Sequence, residues 1–466
     1  MTDDADAPDA PEDPGPAGRL TLSRLRALAD AGRIDTVLLA LPDLQGRLKG
    51  KRYDVRHFLG RIARGGAEMC AYVLATDVDM NPVDGFALAS WETGYQDLEV
   101  RPDLATLRTV PWIPRTALVL ADAYGPGGEA VAVAPRQMLR RQLDRLAERH
   151  GLHLKAGVET EFVLYQGTYE AAAERGHQGL RPLTTENLDY ALDHSPAAER
   201  FFGRLQSLLA GAGLPVEAVK TESAGGQVEV TFPYGDPLAA CDGHLVFKHA
   251  VRTLGTRAGL APTFMAAPET GVASGLHLHV SLWQDGGGNA VADDGGGLTP
   301  VAEHAIAGLL DALPQLAPLY APNTNSYKRF APGSFAPVTF TWGDDNRTCA
   351  VRVVGHGAGR HLEIRVPGAD ANPYLALTAA VTAIGHGLDR RLPPVPAQTA
   401  NAYDADGTPV PATLEQAQAA FRDSALAREA LGAGVVEHYA HLARIEIGHH
   451  RRTVTDAERR RWLARA

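Results

Sequence analysis

Residues 156–162 read Ala-Gly-Val-Glu-Thr-Glu-Phe, and the interpretation of the whole chain starts from this stretch. Polar and apolar side chains alternate in it, as in a β-strand whose neighbouring residues face opposite sides of a sheet. Both carboxylates, Glu159 and Glu161, are therefore predicted on one face. Taken alone, such a run indicates an amphipathic strand whose polar face meets water.

Three further runs alternate in the same way, at residues 227–232, 276–282 and 361–366. Their polar faces carry carboxylate, imidazole and guanidinium groups, which bind cations and anionic substrates, in place of the Lys, Thr, Ser and Glu usual on solvated strands. Together with Glu222, the four runs supply six candidate ligands for two divalent cations: Glu159, Glu161, Glu222, Glu229, His277 and Glu363. Five carboxylates and one imidazole, without a thiolate, favour Mg²⁺ or Mn²⁺ in a catalytic site over structural zinc.

Composition narrows the class of protein. The chain has 466 residues, 45% of them hydrophobic, which is enough for one small and one large domain. The formal charge of -10 comes partly from the acidic first nineteen residues, and no basic patch with interleaved aromatics indicates nucleic-acid binding. The basic segments 136–145 and 459–461 are interpreted as solvated helix faces. Three separated cysteines, no signal peptide and no long apolar run predict a cytoplasmic protein that does not cross a membrane.

Local patterns divide the chain into three segments. Residues 1–18 lack large apolar side chains and are expected to be disordered. Residues 19–125 form the predicted N-terminal domain, with a hairpin at 36–53 that turns at Gly46, and residues 122–128 are interpreted as a linker. Residues 130–466 form the second domain, with helices predicted from Pro135 to Gly151, from Pro237 to about residue 258, and from Pro373 to about residue 385.

After the tail, the chain resembles glutamine synthetase of the bacterial type I class. The resemblance is carried by the motifs at residues 156–162, 222–229, 274–279, 325–329, 346–347, 363–365 and 372–375, which follow in family order. It implies an α+β fold, with an N-terminal β-grasp domain and a catalytic α/β domain that has a curved antiparallel sheet. It also implies a homo-oligomer, a dodecamer of two hexameric rings.

The resemblance also implies residue roles. Glu161, Glu222 and Glu229 would hold one metal ion, and Glu159, His277 and Glu363 the ion that bridges the phosphates of ATP. The remaining roles are catalytic for Arg329, Arg347 and Arg352; substrate-binding for Arg329, Arg365, Ala273 and Phe335; and nucleotide-binding for Tyr234, His279, Ser281 and Arg352. The implied reaction transfers the γ-phosphoryl group of ATP to glutamate, after which an amine displaces phosphate.

The chain departs from the family pattern where the amine would bind. Ammonia-using members carry a glutamate on the flap after the Tyr-Lys-Arg motif, and this chain has Phe335 at that position. The Asp-Gly-Ser-Ser segment of the N-terminal domain is replaced by residues 70–75, Cys-Ala-Tyr-Val-Leu-Ala, and Val272-Ala273 replaces Asn-Gly. Loss of two carboxylates predicts an amine larger than ammonia.

These departures resemble the γ-glutamyl-amine ligase branch of the family. The predicted reaction joins the γ-carboxylate of glutamate to a short monoamine such as ethanolamine, or to a polyamine. Two alternatives stay open: a true glutamine synthetase that uses ammonia, and a ring-shaped structural or regulatory protein without activity.

Overall fold

The computed structural model describes residues 17–293 and 295–466. The predicted disordered tail at 1–18 lies outside this range, apart from its last two residues. Within the described residues, no helix is both long and apolar enough to cross a membrane.

The N-terminal part contains a six-stranded mixed sheet in the order β2-β1-β6-β4-β3, with β5 paired to β6. Its strands are β1 (Thr36–Pro42), β2 (Leu48–Asp54), β3 (Ala67–Cys70), β4 (Asp97–Pro102), β5 (Arg108–Thr109) and β6 (Thr116–Tyr124). The β1–β2 hairpin forms as predicted, and Gly46 in its turn has φ of 69°. Only β1 and β6 pair in parallel.

The second sheet has nine strands in the order β14-β15-β16-β12-β7-β10-β9, with β8 and β11 paired to β7. Its strands are β7 (Leu152–Gln166), β8 (Arg181–Pro182), β9 (Ala218–Thr221), β10 (Gln227–Thr231), β11 (Leu260–Thr263), β12 (Leu276–Gln284), β14 (Trp342–Asp344), β15 (Val351–Val354) and β16 (His361–Ile364). All pairs are antiparallel except β14–β15. A small separate pair joins β13 (Thr339–Phe340) to β17 (Thr408–Pro409). The chain is thus a mixed helix-and-sheet protein.

The helices are α1 (Leu22–Asp30), α2 (Val55–His57), α3 (Ala63–Gly65), α4 (Pro135–His150), α5 (Tyr169–Glu174), α6 (Pro196–Ala210), α7 (Pro237–Arg257), α8 (Pro300–Ala312), α9 (Pro373–Arg390), α10 (Leu414–Asp423), α11 (Ala425–Leu431), α12 (Ala433–Arg452) and α13 (Asp456–Trp462). Four of the long helices begin with proline after a capping side chain; at α9 the Asn372 oxygen accepts the Tyr374 N–H. Helix α9 continues five residues beyond the predicted end. The residues of α9 remain buried as far as Gly387, and this packing explains why the helix extends beyond residue 385.

Two expectations from the sequence are wrong. Strand β6 continues through Tyr124, so the predicted linker begins inside a strand. Arg136 does not lie on a solvated helix face: it is 3% exposed and binds Asp103, Asp122 and Asp242. Both errors have one cause, the burial of the Arg136 guanidinium among three carboxylates. One of these carboxylates belongs to Asp122, which can lie inside an apolar strand because it binds Arg136.

Candidate two-metal active site

The nine-stranded sheet brings the predicted ligands into one row. On β7, Glu159 and Glu161 share a face, while Val158 and Phe162 are buried on the other. Strand pairing places Glu229 of β10 opposite Glu161 and His277 of β12 opposite Glu159. The alternation of side chains along each strand and the register between strands therefore place these ligands on the same face of the sheet.

Three of the six side chains form one group, here named the imidazole cluster, in which His277 and Glu363 are buried and Glu159 is partly buried: Glu159, His277 and Glu363. Each offers a ligand atom within 4.8 Å of the others. His277 Nδ1 lies 2.6 Å from Glu159 Oε1 and 3.5 Å from Glu363 Oε1. Oxygens and one nitrogen at this separation could all reach a common ion.

The other three form the carboxylate cluster: Glu161, Glu222 and Glu229, again within 4.8 Å of one another. Glu161 Oε2 accepts hydrogen bonds from the Gly275 N–H and from Gln227 Nε2, both at 2.9 Å. These two donors orient the Glu161 carboxylate towards the cluster, as supporting hydrogen bonds do in metal sites. An all-oxygen donor set suits a hard divalent cation.

The two clusters differ in electrostatics. Burial alone would raise the pKa of Glu363, but Arg365 and His277 outweigh it and hold that pKa at about 2. Hydrogen bonds from His277 and His279 likewise overcome burial and lower the pKa of Glu159. In the carboxylate cluster burial dominates, and the neighbouring Glu159 charge adds to it, so the pKa of Glu229 is raised. Ionisation of the carboxylate cluster therefore costs free energy, and a bound cation would offset that cost.

Gly275 allows the side chains of His277 and Arg329 to approach its backbone closely. A Cβ atom at this position would lie 2.7 Å from His277 Nε2 and 2.9 Å from Arg329 Nη2, so only glycine leaves room for both side chains. Arg329 is buried and donates to the carbonyl oxygens of Arg365 and Val366. Its Nε makes no hydrogen bond within the described residues, nor does the Nε of Arg365. Two buried guanidinium N–H groups without partners suit an anionic ligand such as a carboxylate.

The other predicted arginines differ in position. Arg352 Nη1 donates to Glu363 Oε2 at 2.8 Å, and Arg365 Nη1 binds the other oxygen of the same carboxylate. Arg347 is exposed on a turn, two residues after Asp345, the carboxylate to which Arg352 Nε donates at 3.1 Å. Arg365 Nη2 also donates to the Phe335 carbonyl at 3.3 Å and so connects the flap to the site. Phe335 is 62% exposed and has φ of 56°, a conformation that L-residues rarely adopt.

The predicted nucleotide-binding residues line a cavity of about 380 Å³ next to the imidazole cluster. Tyr234, His279, Ser281 and Arg352 all border it, together with Glu159. Ser281 accepts a hydrogen bond from Trp283 Nε1 at 2.8 Å, and the Lys155 ammonium lies 3.6 Å from the centre of the Trp283 ring. The cavity thus combines cationic and aromatic walls, which suit a nucleotide.

Three residues at the site were missed from the sequence. Lys155 and Trp283 continue the alternation of β7 and β12 on the functional face, so extending the pattern by one more step would have found them. Lys220 lies among the carboxylates, and only the register of β9 on β10 places it there. The predicted substrate residue Ala273 contributes its carbonyl, which accepts from Gln227 Nε2 at 2.8 Å.

A sheet face with two clusters that could each hold a cation, buried arginines and a cavity of nucleotide size is the arrangement expected of an enzyme that works on anionic substrates. A model of the glutamine synthetase catalytic domain matches residues 132–462, and the chain belongs to the glutamine synthetase family. The family resemblance drawn from the motifs is confirmed. The family generally uses ATP and a divalent metal.

Individual relatives place the chain among amine ligases. It is 46% identical to the γ-glutamylethanolamide synthetase GlnA4 of Streptomyces coelicolor over 446 residues, which is 96% of each chain. It is 32% identical to the glutamate–isopropylamine ligase of a Pseudomonas species, covering 94% of this chain and 97% of the relative. A solved structure described as a GmaS/ADP complex superposes with a TM-score of 0.81 at 29% identity, covering 94% and 99%. These relatives confirm the resemblance to the amine-ligase branch.

Proposed function

We propose that the chain is an ATP-dependent ligase that joins the γ-carboxylate of glutamate to a short primary monoamine such as ethanolamine. The single observation that carries the choice of amine is Phe335, which occupies the flap in contact with Arg365 where an ammonia-using enzyme would have a carboxylate. The 46% identical relative named for ethanolamide formation supports the same choice.

The site residues fit two Mg²⁺ or Mn²⁺ ions, one held by the imidazole cluster and one by the carboxylate cluster. When bound, such ions supply positive charge to the phosphates and to the carboxylate that accepts the phosphoryl group. Arg329 and Arg365 would bind the glutamate substrate through their free Nε–H groups. Arg352, at the border of the nucleotide cavity and fixed by Glu363, would offset charge on the phosphoryl group in transfer. Arg347, which is exposed, would share this role, as the family resemblance implies.

The proposed reaction has two steps. A γ-carboxylate oxygen of glutamate attacks the γ-phosphorus of ATP, the bond to the β-phosphate oxygen breaks, and ADP leaves. The amine nitrogen then attacks the acyl carbon of γ-glutamyl phosphate, phosphate departs with the bonding electron pair, and the nitrogen loses a proton. An aromatic flap residue favours an alkyl substituent on that nitrogen, because it offers apolar contact and no partner for a bare ammonium ion.

The finer architecture is proposed on the same family basis. The six-stranded N-terminal sheet would be the β-grasp domain at 19–125, and residues 130–466 the catalytic domain with the curved antiparallel sheet. The assembly would be a dodecamer of two hexameric rings in the cytoplasm, where ATP and glutamate are available. Light scattering of the purified protein would measure the mass of the assembly directly.

An acceptor screen tests the function. Purified enzyme, ATP, glutamate and Mg²⁺ are incubated separately with ethanolamine, isopropylamine, putrescine and ammonium, and γ-glutamyl products are identified by mass. We expect the highest kcat/KM with a short monoamine. Product from ammonium alone would show an ordinary glutamine synthetase, and no ATP-dependent product with any acceptor would favour the inactive ring protein.

Two flap variants sharpen the screen. F335E restores a carboxylate and is expected to raise the preference for ammonium or putrescine over ethanolamine by about tenfold or more, because the cation gains an anionic partner. F335L is the matched control, since it keeps an apolar side chain and should keep the monoamine preference. Equal selectivity in all three proteins would contradict the role assigned to Phe335.

A further inference from the structure

Lys220 lies inside the carboxylate cluster. It is on β9, directly opposite Glu229 of β10. Its ammonium group contacts Glu222 Oε1 and lies 3.9 Å from Glu229 Oε2. The side chain is only 19% exposed. In the described structure, therefore, a lysine cation occupies the space between two of the three proposed metal ligands.

A second set of partners lies on the other side of the same ammonium group. Asp189 Oδ1 is 3.4 Å from the Nζ atom, and the centre of the Tyr190 ring is 4.3 Å from it. The Tyr190 side chain is 70% exposed, so this ring can change position without disturbing the core. A lysine side chain is flexible, and rotation about its bonds would move the ammonium group from Glu222 towards the Asp189 carboxylate and the Tyr190 ring.

Among the residues that the structure describes, no lysine contacts the imidazole cluster in this way. Its cations, Arg352 and Arg365, bind the two oxygens of Glu363 through planar guanidinium groups and are themselves fixed by Asp345 and by the Phe335 carbonyl. Each of them contacts one of the three ligand side chains, Glu363, and neither forms an ion pair with Glu159 in the described part of the chain. The carboxylate cluster, in contrast, has a lysine cation that reaches two of its three carboxylates, Glu222 and Glu229.

We propose that Lys220 is a resident cation of the carboxylate cluster, which a divalent ion must displace towards Asp189 and Tyr190 in order to bind. The inference rests on the proposed function, since it takes the cluster to be a metal site. It follows that the imidazole cluster fills first and that the carboxylate cluster binds its ion more weakly, because a positive charge remains beside it. The lysine would also offset the charge of two partly buried carboxylates before the ion arrives.

The test is Mn²⁺ binding to the full-length protein without substrates, followed by electron paramagnetic resonance of the free ion and by calorimetry. We expect two classes of site in the wild type. In K220M, which keeps the length of the side chain and removes its charge, the weaker site should tighten by about tenfold or more. K220R retains the charge and should stay close to the wild type. K51M removes a charge on β2, outside the site, and should change neither class.

Thermal unfolding supplies a second measurement that detects damaged variants. Metal-free K220M should melt below the wild type, and Mn²⁺ should raise its melting temperature by more than it raises that of the wild type. A weaker second site in K220M would overturn the proposal, because the lysine would then organise the ligands; an unchanged second site would overturn it as well. Failure of the proposed function is distinguishable, since it would appear in the acceptor screen as product from ammonium alone or as no product, whatever the relative affinities of the two metal sites.

Discussion

The imidazole cluster and the carboxylate cluster lie side by side on one sheet face but are neutralised in different ways. In the imidazole cluster, Glu363 is held ionised by Arg352 and Arg365. The carboxylate cluster has one lysine, Lys220, for three carboxylates, and burial raises the pKa values of Glu161 and Glu229. The first cluster is thus organised before a cation binds, whereas the second depends on the cation for its stability.

This contrast indicates different roles for the two clusters. A preorganised group of ligands positions charge without rearrangement, which favours the phosphate-bridging role that the family resemblance gives to the imidazole cluster. In the carboxylate cluster a bound ion would have to displace Lys220, so binding there is expected to be weaker and its occupancy to respond to metal concentration. The two clusters should therefore respond differently to the same substitution.

The largest effect is expected from E363Q. Glutamine cannot balance the buried charges of Arg352 and Arg365, so the metal-free protein should lose about 3 kcal/mol of unfolding free energy. Activity should fall by at least ~10²-fold, because a ligand and the anchor of Arg352 are lost together. Urea unfolding in the presence of a chelator and an assay with the best acceptor would measure both. Wild-type stability in this variant would contradict the claim that the imidazole cluster is preorganised.

The matched substitution E229Q should separate stability from activity. Activity should again fall by about 10²-fold with loss of the second ion. The metal-free protein should nevertheless be as stable as the wild type or slightly more so, because a buried carboxylate with a raised pKa is replaced by a neutral group. The same urea and activity measurements apply. Equal destabilisation by E229Q and E363Q would remove the distinction between the clusters.

Much of this site could be predicted from the sequence. Alternation fixes which residues of 158–162 and 276–282 share a face, because neighbouring strand side chains must point to opposite sides. The register that pairs Glu229 with both Glu161 and Lys220 depends on long-range strand pairing, which no local pattern specifies. For the same reason Lys220 was overlooked, although it is adjacent to a motif that was recognised.

Long-range charge pairing accounts for the errors in the fold. Asp122 resembles a loop residue and Arg136 a surface residue when each is considered with its chain neighbours. Their mutual hydrogen bonds of 2.9 and 3.0 Å make both acceptable inside the protein. The left-handed conformation of Phe335 is likewise a property of the flap in three dimensions, where Ser334 binds the carbonyl of Arg329.

The smallest effect, a dependence of stability on pH, would sharpen the comparison. Because the pKa of Glu229 is raised, its ionisation opposes folding: the metal-free protein should be most stable near the ordinary carboxyl pKa of 4.5 and lose stability as the pH rises. Glu363, with a pKa of about 2, acts in the opposite sense: its contribution is present above 4.5 and is lost as the pH falls towards 2.

Urea unfolding in chelator between about pH 5 and pH 8 measures this dependence. The stability of wild-type protein relative to E229Q should decline over this range, by no more than ~1.4 kcal/mol per pH unit. Saturating Mg²⁺ should abolish the decline, because the bound ion would stabilise the ionised Glu229 carboxylate in place of the proton. A wild-type curve parallel to that of E229Q would show that Glu229 ionises freely.

The most direct measurement is an anomalous-scattering map from crystals grown with Mn²⁺ and a non-hydrolysable ATP analogue. The expected map has two peaks on the sheet face, one ligated by Glu159, His277 and Glu363 and the other by Glu161, Glu222 and Glu229, each at about 2.0–2.3 Å. A map with no peak at these residues, or with manganese only at surface carboxylates elsewhere, would contradict the two-metal site from which the proposed ligation is derived.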